Sequence, residues 1–131
     1  MRVVLDSNVV IAAGLTRGTC TVVVETAVRD HEIVVSNGVM AEYREVVQRP
    51  KMERASEALK RILYSIAVVG SWVEPATKTF GLVDPDDEIF LQTAVAGSAV
   101  ALVTGNKRHF PAARYAGIEI LAPAAFLDRV R

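Results

Sequence analysis

The sequence predicts an α/β fold built on a central, mostly parallel sheet. Short apolar runs alternate with longer amphipathic stretches along the whole chain, which is the order of strands and crossover helices in such folds. The chain has 131 residues, of which 51% are hydrophobic and 23% charged, with five prolines and eight glycines. This size and composition are those of one globular domain without a flexible linker, so we expect a single domain over residues 1–131.

The first half of the chain predicts two strands, each followed by helices. The runs RVVL and EIVVS are short, apolar and rich in β-branched residues, so each predicts a buried strand. Ser36 is a suitable N-cap for the helix after the second strand, and Pro50 ends that helix because proline has no N–H to donate. Helical spacing marks its core face, which is formed by Val39, Met40, Tyr43, Val46 and Val47. In order, we predict a strand over 2–5, helices from about Asn8 to Leu15 and from about Thr19 to Arg29, a strand over 32–36, the helix that Ser36 caps, and a helix over 56–70 closed by Gly70.

The second half predicts two further strands and two helices. Residues 71–74 form either a short strand or an extended connector. The next helix has clear end signals, because Asp84 stands at its N-cap, Pro85 at its first position and Gly97 just past its C-terminus. After it we predict a strand over 100–103, a loop over 104–111, a last strand over 118–121 and a closing helix over 123–130.

Acidic and polar side chains follow several of the predicted strands. In an open parallel sheet, ligands bind outside the carboxyl ends of the strands. Glu42 lies between Val39 and Val46 on its helix, so its carboxylate projects from the edge of the buried face. The residues expected at this edge of the sheet are Asp6, Ser36, Glu42, Asp84, Asp87, Thr104, Asn106 and His109.

Two interpretations of these acids remain open. Asp6 and Asp84 are suitable helix caps, Asp87 is an acid favoured in a first helical turn, and Glu42 is compatible with a surface position. Alternatively, the acids form one cluster, because no lysine or arginine lies within three residues of Asp6, Asp84 or Asp87 in sequence. Carboxylates without a basic partner repel one another, and a divalent cation removes that repulsion. The constellation therefore favours a Mg²⁺ or Mn²⁺ site.

Charge, cysteine content and hydropathy argue against three classes of protein: basic nucleic-acid binders, disulfide-bonded proteins and membrane proteins. Formal net charge is zero, which argues against a generally basic nucleic-acid binder. The single cysteine, Cys20, has no disulfide partner, and the longest apolar stretch, LQTAVAGSAVALV, is too short to span a bilayer. We expect a cytoplasmic protein without a targeting segment or a membrane span. Basic residues do concentrate in one band near the middle of the chain, which includes Arg44, Arg49, Lys51 and Arg54.

The chain resembles the PIN domain (PilT N-terminal) superfamily, and within it the toxins of VapBC-type toxin–antitoxin modules. The matching segments cover most of the sequence: VVLDSNVVIAA, Glu42 within VSNGVMAEYREVVQRP, VDPDDEIFLQTAVAGSAVALVTGNKRHF, and GIEILAPAAFL near the end. The resemblance implies a three-layer α/β/α sandwich with a mostly parallel sheet. It also implies Mg²⁺- or Mn²⁺-dependent hydrolysis of RNA by an activated water, a cognate antitoxin and a homodimer.

Site roles follow from the same resemblance. It implies that Asp6, Glu42 and Asp87 are the catalytic, metal-binding acids, with Asp84 as an additional ligand. Ser7 and Thr104 would support these acids through hydrogen bonds, and Asn8 would lie behind them or face the substrate. The basic band would lie beside the acidic cleft and hold RNA phosphates without regard to sequence.

One departure from the family pattern concerns the loop after the VALV strand. PIN domains commonly place a fourth acid there, at the position of Asn106 or of His109, and this sequence has a carboxylate at neither. The simpler interpretation of His109 is a loop histidine in solvent, although a histidine ligand would favour Mn²⁺ over Mg²⁺. The missing acid keeps open an RNA- or protein-binding module with weak or lost catalysis. A phosphoacceptor or phosphohydrolase is disfavoured, because Asp6 has no second aspartate two residues later.

Overall fold

The computed structural model describes residues 1–131 and contains a central six-stranded sheet with six α-helices. The strands are β1 (Arg2–Leu5), β2 (Glu32–Val35), β3 (Ser71–Trp72), β4 (Ala101–Val103), β5 (Arg114–Tyr115) and β6 (Ile118–Leu121). The helices are α1 (Ser7–Leu15), α2 (Thr19–Asp30), α3 (Asn37–Val47), α4 (Ser56–Val69), α5 (Glu88–Ala96) and α6 (Pro123–Val130). Two 3₁₀ helices cover Pro50–Ala55 and Pro85–Asp87.

The sheet has the order β3-β2-β1-β4-β6-β5, and every neighbouring pair is parallel except β5 with β6. The predicted α/β class with a mostly parallel sheet is therefore confirmed. Strand β1 lies near the centre, and its residues Val3, Val4 and Leu5 are completely buried. This burial is expected of a central parallel strand, because helices cover both faces of such a sheet. The carboxyl end of β1 therefore opens between β2 and β4.

A hydrophobic core of 29 buried residues joins the sheet to the helices. A smaller cluster of Ile11, Met52, Ala55 and Leu59 lies beside it. Met52 and Ala55 belong to the 3₁₀ helix Pro50–Ala55, which the sequence did not predict, and their burial fixes that segment against α1 and α4. The basic residue Lys51 is thereby held at one end of the fold.

Most predicted element ends agree with the structure to within two residues. Ser36 caps α3 by accepting a hydrogen bond from the Val39 N–H at 3.1 Å, and Gly97 follows the last residue of α5. The α-helix predicted from Asp84 instead begins at Glu88, because Asp84 caps the 3₁₀ helix by accepting from the Asp86 N–H at 2.9 Å.

Strand β5 was not predicted. It lies between the predicted loop over 104–111 and the predicted strand over 118–121, and it pairs with β6 across a tight turn in which Ala116 and Gly117 have φ angles of 50° and 83°. A two-residue strand has no hydrophobic period to detect. Residues 71–74 do contain a strand, β3, but only over Ser71–Trp72.

None of the helices alone reaches the length and apolar character of a membrane-spanning helix; α1 and α2 meet those limits only when joined across their 112° bend.

Candidate metal centre and nucleic-acid cleft

A cleft of about 660 Å³ lies at the carboxyl ends of β1 and β4 and contains all four predicted metal-binding acids. Asp6 directly follows β1, and Glu42 projects from α3. Asp84 caps the 3₁₀ helix that precedes α5, and Asp87 is the last residue of that 3₁₀ helix. Four of the predicted supporting residues also line the cleft: Ser7, Asn8, Asn106 and His109. The fifth, Thr104, lies behind the wall and donates a hydrogen bond to Asp6. The rule that ligands bind at strand ends thus located a set of residues distributed over a hundred positions of the chain.

Asp6 caps α1 and also lines the cleft with the other acids, so its role as a helix cap does not exclude it from the acidic cluster. One carboxylate oxygen accepts a hydrogen bond from the Ser7 backbone N–H at 2.7 Å, and the other accepts from the Thr104 hydroxyl at 2.6 Å. The residue is 94% buried (6% exposed). Burial raises the pKa of Asp6 because it penalises the charged form, and the two hydrogen bonds oppose that rise.

Tyr43 fixes α3 to the end of β1 and was identified from the sequence only as a core residue. Its buried hydroxyl donates to the Leu5 carbonyl at 2.5 Å, one residue before Asp6. Because Glu42 is the neighbour of Tyr43 on α3, this bond sets the distance between the strand end and the helix that carries Glu42. Burial raises the pKa of Tyr43, so the hydroxyl stays protonated and acts as a donor.

Glu42 is partly buried and faces other carboxylates. Its pKa is raised first by burial and then by the negative charges of Asp86, Glu45, Asp84 and Asp87. A carboxyl group with this environment gains from any cation that enters the cleft.

Asp84, Asp87 and His109 form the tightest group of possible ligands, with their donor atoms all within 4.8 Å of one another. His109 Nδ1 lies 2.8 Å from an Asp87 carboxylate oxygen. Burial raises the pKa of Asp87, His109 lowers it, and the charges of Asp6 and Asp84 raise it again. His109 is exposed, as expected of a loop histidine, but it is a partner of Asp87 rather than a side chain surrounded only by solvent.

The supporting residues connect the loop after β4 to the start of α1. The Asn8 side-chain oxygen accepts from the Gly105 N–H at 3.2 Å, and the Thr104 hydroxyl oxygen accepts from the Asn106 N–H at 3.0 Å. Ser7 supports Asp6 only through its backbone, because its buried hydroxyl has no hydrogen-bond partner.

Only part of the predicted basic band reaches the cleft. Arg49 and Lys51 line it, with Arg49 paired to Glu45 at 2.9 Å, whereas Arg44 and Arg54 are exposed elsewhere. Sequence reasoning missed Arg108, which lies with Val83 in a second cavity of about 440 Å³. The adjacent basic pair in NKRH was the signal that could have identified Arg108.

The donor set fits a hard divalent cation. Carboxylate oxygens from separate elements converge without a lysine or arginine ion pair to any of Asp6, Glu42, Asp84 or Asp87. Mg²⁺ and Mn²⁺ prefer such oxygen ligands, and the buried, unpartnered Ser7 hydroxyl leaves an additional polar atom in the same wall. A separate cavity of about 410 Å³ between α1, α2 and α4 contains one carboxylate, that of Glu25, and therefore lacks a comparable set.

A parallel sheet with clustered carboxylates at its strand ends defines an α/β protein with a candidate metal-dependent active site. The family model of the PIN domain matches residues 2–108, and the chain therefore belongs to the PIN domain family. Its structure is similar to a chain in the crystal structure of VapBC2 from Rickettsia felis bound to a DNA fragment from their promoter, with a TM-score of 0.64 and 19% sequence identity. That match covers 93% of this chain and 98% of the other. Comparison with curated proteins gives no match.

Proposed function

We propose that this PIN domain protein is a Mg²⁺- or Mn²⁺-dependent endoribonuclease and the toxin component of a type II toxin–antitoxin module. PIN domains are in general nucleases, so family membership supports a hydrolase acting on nucleic acid. The observation that carries the proposal is the convergence of Asp6, Glu42, Asp84 and Asp87 on one cleft.

In this proposal Asp6, Glu42 and Asp87 hold the metal ion and Asp84 adds a fourth carboxylate. An ion held by these residues would supply positive charge for the scissile phosphate and the leaving oxygen, and it would lower the pKa of an attacking water. The chain supplies the geometry: Thr104 and the Ser7 N–H orient Asp6, and His109 orients Asp87.

RNA phosphates reach the cleft through its basic margin. Lys51 forms no ion pair, so its ammonium is available to a phosphate, and Arg49 adds charge beside it. Such contacts hold the backbone in place without reading sequence.

The partners proposed for this chain are a cognate antitoxin and a second copy of itself. The structural similarity to a chain of the VapBC2 structure supports the antitoxin, and exposed apolar side chains, including Tyr64 and Val68 on α4, support self-association. Light scattering is expected to give a dimer at micromolar concentration. We also propose a cytoplasmic location, in agreement with a single cysteine that forms no disulfide.

The test is RNA cleavage by the purified chain with Mg²⁺, with Mn²⁺ and with EDTA, in the wild type and in Asp6→Asn, Glu42→Gln and Asp87→Asn variants. Each substitution removes one charge with little change of volume, so folding is retained. Removal of a residue that only hydrogen-bonds a metal ligand typically lowers metal affinity or activity about 10- to 100-fold. For loss of a ligand itself we therefore expect kcat/KM to fall about a hundredfold or more. Glu25→Gln, an exposed carboxylate outside the cleft, is the matched control.

Wild-type activity in Asp87→Asn, or cleavage unaffected by EDTA, would contradict the proposed mechanism. The loop after β4 contains Asn106 and His109 where relatives place an acid, and this favours one alternative, a PIN-fold module that binds RNA or protein with weak catalysis. RNA binding by a wild-type protein that does not cleave with either ion would support that alternative.

A further inference from the structure

A second cavity, which we call the side pocket, adjoins the acidic cleft. It has a volume of about 440 Å³ and is lined by Val83, Asp84, Asn106, Arg108 and His109. Asp84, Asn106 and His109 also line the cleft, so the two spaces share a wall made of these three residues. A ligand bound over the acids of the cleft therefore lies close to the side pocket.

Three side chains of the side pocket lack partners within the protein. Arg108 is exposed and forms neither an ion pair nor a hydrogen bond, although Asp84 lines the same pocket. The Asn106 amide group makes no hydrogen bond; only its backbone is engaged. Val83 is 91% exposed. A single exposed valine needs no explanation, but here it shares one pocket with a free guanidinium and a free amide.

Both walls of the side pocket are held by the fold. On one side, the Glu88 carboxylate accepts the N–H groups of Phe80 and Leu82 at 2.8 and 2.9 Å, which fixes the chain just before Val83. On the other side, the Gly105 N–H donates a hydrogen bond to the Asn8 side-chain oxygen, and Phe110 is completely buried. The pocket is therefore formed before a ligand arrives, which reduces the entropy cost of binding.

The chemistry of these groups matches a nucleotide better than a simple anion. A guanidinium binds phosphate through paired N–H donors, an amide can both donate to and accept from a base edge, and an apolar side chain packs on a base. An isolated anion would use only Arg108 and would be repelled by Asp84 and Asp87. Lys51 lines the cleft together with the acids, and Arg108 lines the side pocket together with Asp84, so each space offers a basic group to a phosphate near the acids.

We propose that the side pocket binds the nucleotide next to the scissile phosphate of a single-stranded RNA, with Arg108 on its phosphate and Asn106 and Val83 on its base. This inference rests on the proposed function and adds that the pocket influences where the RNA is cut. Single-stranded RNA is required because a base must leave its stack to contact Asn106 and Val83.

The experiment compares wild type, Arg108→Ala and Val83→Ser on a fluorescent single-stranded RNA, on the same sequence as a duplex, and on a pool of randomised RNA. Arg17→Ala is the matched control, because Arg17 is also exposed and without an ion pair but lies in the cavity between α1, α2 and α4. For Arg108→Ala we expect KM on the single strand to rise about tenfold with kcat within about twofold, as for loss of one charge-assisted contact. Val83→Ser should change the distribution of cut sites in the pool, and Arg17→Ala should change neither quantity.

Unchanged KM and unchanged cut sites in both variants, with a cleaving wild type, would overturn the side pocket and leave the proposed function intact. An equal loss on the duplex would overturn the single-strand assignment. If the wild type cleaves no RNA with either metal, the proposed function fails. Fluorescence anisotropy then decides the pocket: tighter RNA binding by the wild type than by Arg108→Ala supports it, and equal binding overturns it.

Discussion

Asp6 shows at the scale of single residues how one side chain serves both folding and the site. Its two carboxylate oxygens accept hydrogen bonds from different donors, the Ser7 N–H and the Thr104 hydroxyl. The residue is buried and lines the cleft. Thr104 is a residue of the loop that follows β4, so the bond also ties β4 to β1 at the level of the acids. The orientation of Asp6 therefore depends on a residue 98 positions away in sequence.

Thr104→Val is predicted to destabilise the metal-free protein. Valine keeps the shape of threonine but leaves an Asp6 oxygen and the Asn106 N–H without their partner. Leaving buried polar groups unsatisfied costs about 1–3 kcal/mol. Urea unfolding in EDTA measures the loss. Thr93→Val is the control, because it removes only a hydrogen bond between two neutral hydroxyl groups, those of Thr93 and Ser36. The Ser36 hydroxyl oxygen still accepts a hydrogen bond from the Val39 N–H in that variant. Equal losses in the two variants would mean that the carboxylate does not depend on Thr104.

Asn106→Asp is predicted to strengthen Mg²⁺ binding. The change adds one negative charge with little volume to the wall of a cleft that is already lined by six carboxylates. After desolvation and mutual repulsion, one extra carboxylate near a dication is worth about 1–2 kcal/mol, or roughly tenfold in affinity. Calorimetric titration with Mg²⁺ and Mn²⁺ measures it, and activity with Mg²⁺ should rise more than activity with Mn²⁺.

Asn37→Asp provides the same change of charge at an exposed position of α3 that does not line the cleft. It should leave metal affinity nearly unchanged. Unchanged Mg²⁺ affinity in folded Asn106→Asp would show that residue 106 does not reach the ion, and would make His109 the candidate for the missing ligand.

The individual site residues differ in how far the sequence could predict them. The sequence located Asp6, Asp84 and Asp87 because each stands near a predicted strand end or helix start, and such ends meet at one edge of a parallel sheet. It located Glu42 because that residue lies between Val39 and Val46, at the edge of the buried face of its helix. Two hydrogen bonds could not be predicted from the sequence: the one between His109 and Asp87 and the one from Tyr43 to Leu5. They join residues 22 and 38 positions apart, and their existence depends on the packing of separate elements.

At the scale of elements, hydrophobic period and end signals predicted every α-helix and the four longer strands. The period fails for short elements, which is why β5 and the 3₁₀ helix Pro50–Ala55 were missed. The 3₁₀ helix matters for the shape of the cleft, since it carries Lys51 to the cleft wall and is fixed there by the buried Met52. A basic residue next to a proline gave no indication of that burial.

Gly97→Ala tests the close approach of α5 to β2. A Cβ at position 97 would lie 2.3 Å from a Val34 methyl and 3.3 Å from the Val34 Cβ, and β-branched Val34 cannot rotate freely within the sheet. We expect a loss of about 1–3 kcal/mol in the free energy of unfolding, as for other overpacked cores. Denaturant unfolding measures it.

Two further variants make that measurement specific to the contact. Gly18→Ala has no heavy atom within 4 Å of the added Cβ and should change stability little. Gly97→Ala combined with Val34→Ala should recover part of the loss relative to the sum of the single variants, since the small residue makes room. Strict additivity in the double variant would show that the clash is relieved elsewhere.

At the scale of the whole molecule, the sheet order explains why the site forms where it does. Strand β1 is flanked by β2 on one side and β4 on the other, so the segments after all three strands converge on a single edge. The sequence predicted the strands but not their order, because strand order depends on crossover connections and packing that no local pattern records. The same convergence places carboxylates from several elements close together, and their burial and mutual repulsion lower the stability of the metal-free protein.

This loss of stability leads to a prediction of how the free energy of unfolding depends on pH and on a bound metal ion. Burial raises the pKa of Asp6, Glu42 and Asp87 above their ordinary values of 3.8 to 4.5, with mutual repulsion adding to the rise for Glu42 and Asp87. Between those values and the raised ones, the folded chain holds protons that the unfolded chain has released. Stability contributed by these groups therefore falls as pH rises through that range, in the absence of metal.

A divalent ion should reverse this trend, because it replaces the protons on the same carboxylates. At an ion concentration one hundred times its Kd, binding adds about 2.7 kcal/mol, which for a chain of this size is on the order of 10 °C in Tm. Thermal unfolding in EDTA and in Mg²⁺ at pH 5 and pH 7.5 gives the measurement, and the difference in Tm between the two solutions should be larger at pH 7.5. Asp87→Asn should lose most of that difference. The same metal-induced shift at both pH values, or an undiminished shift in Asp87→Asn, would mean that the ion binds somewhere other than this cluster of acids.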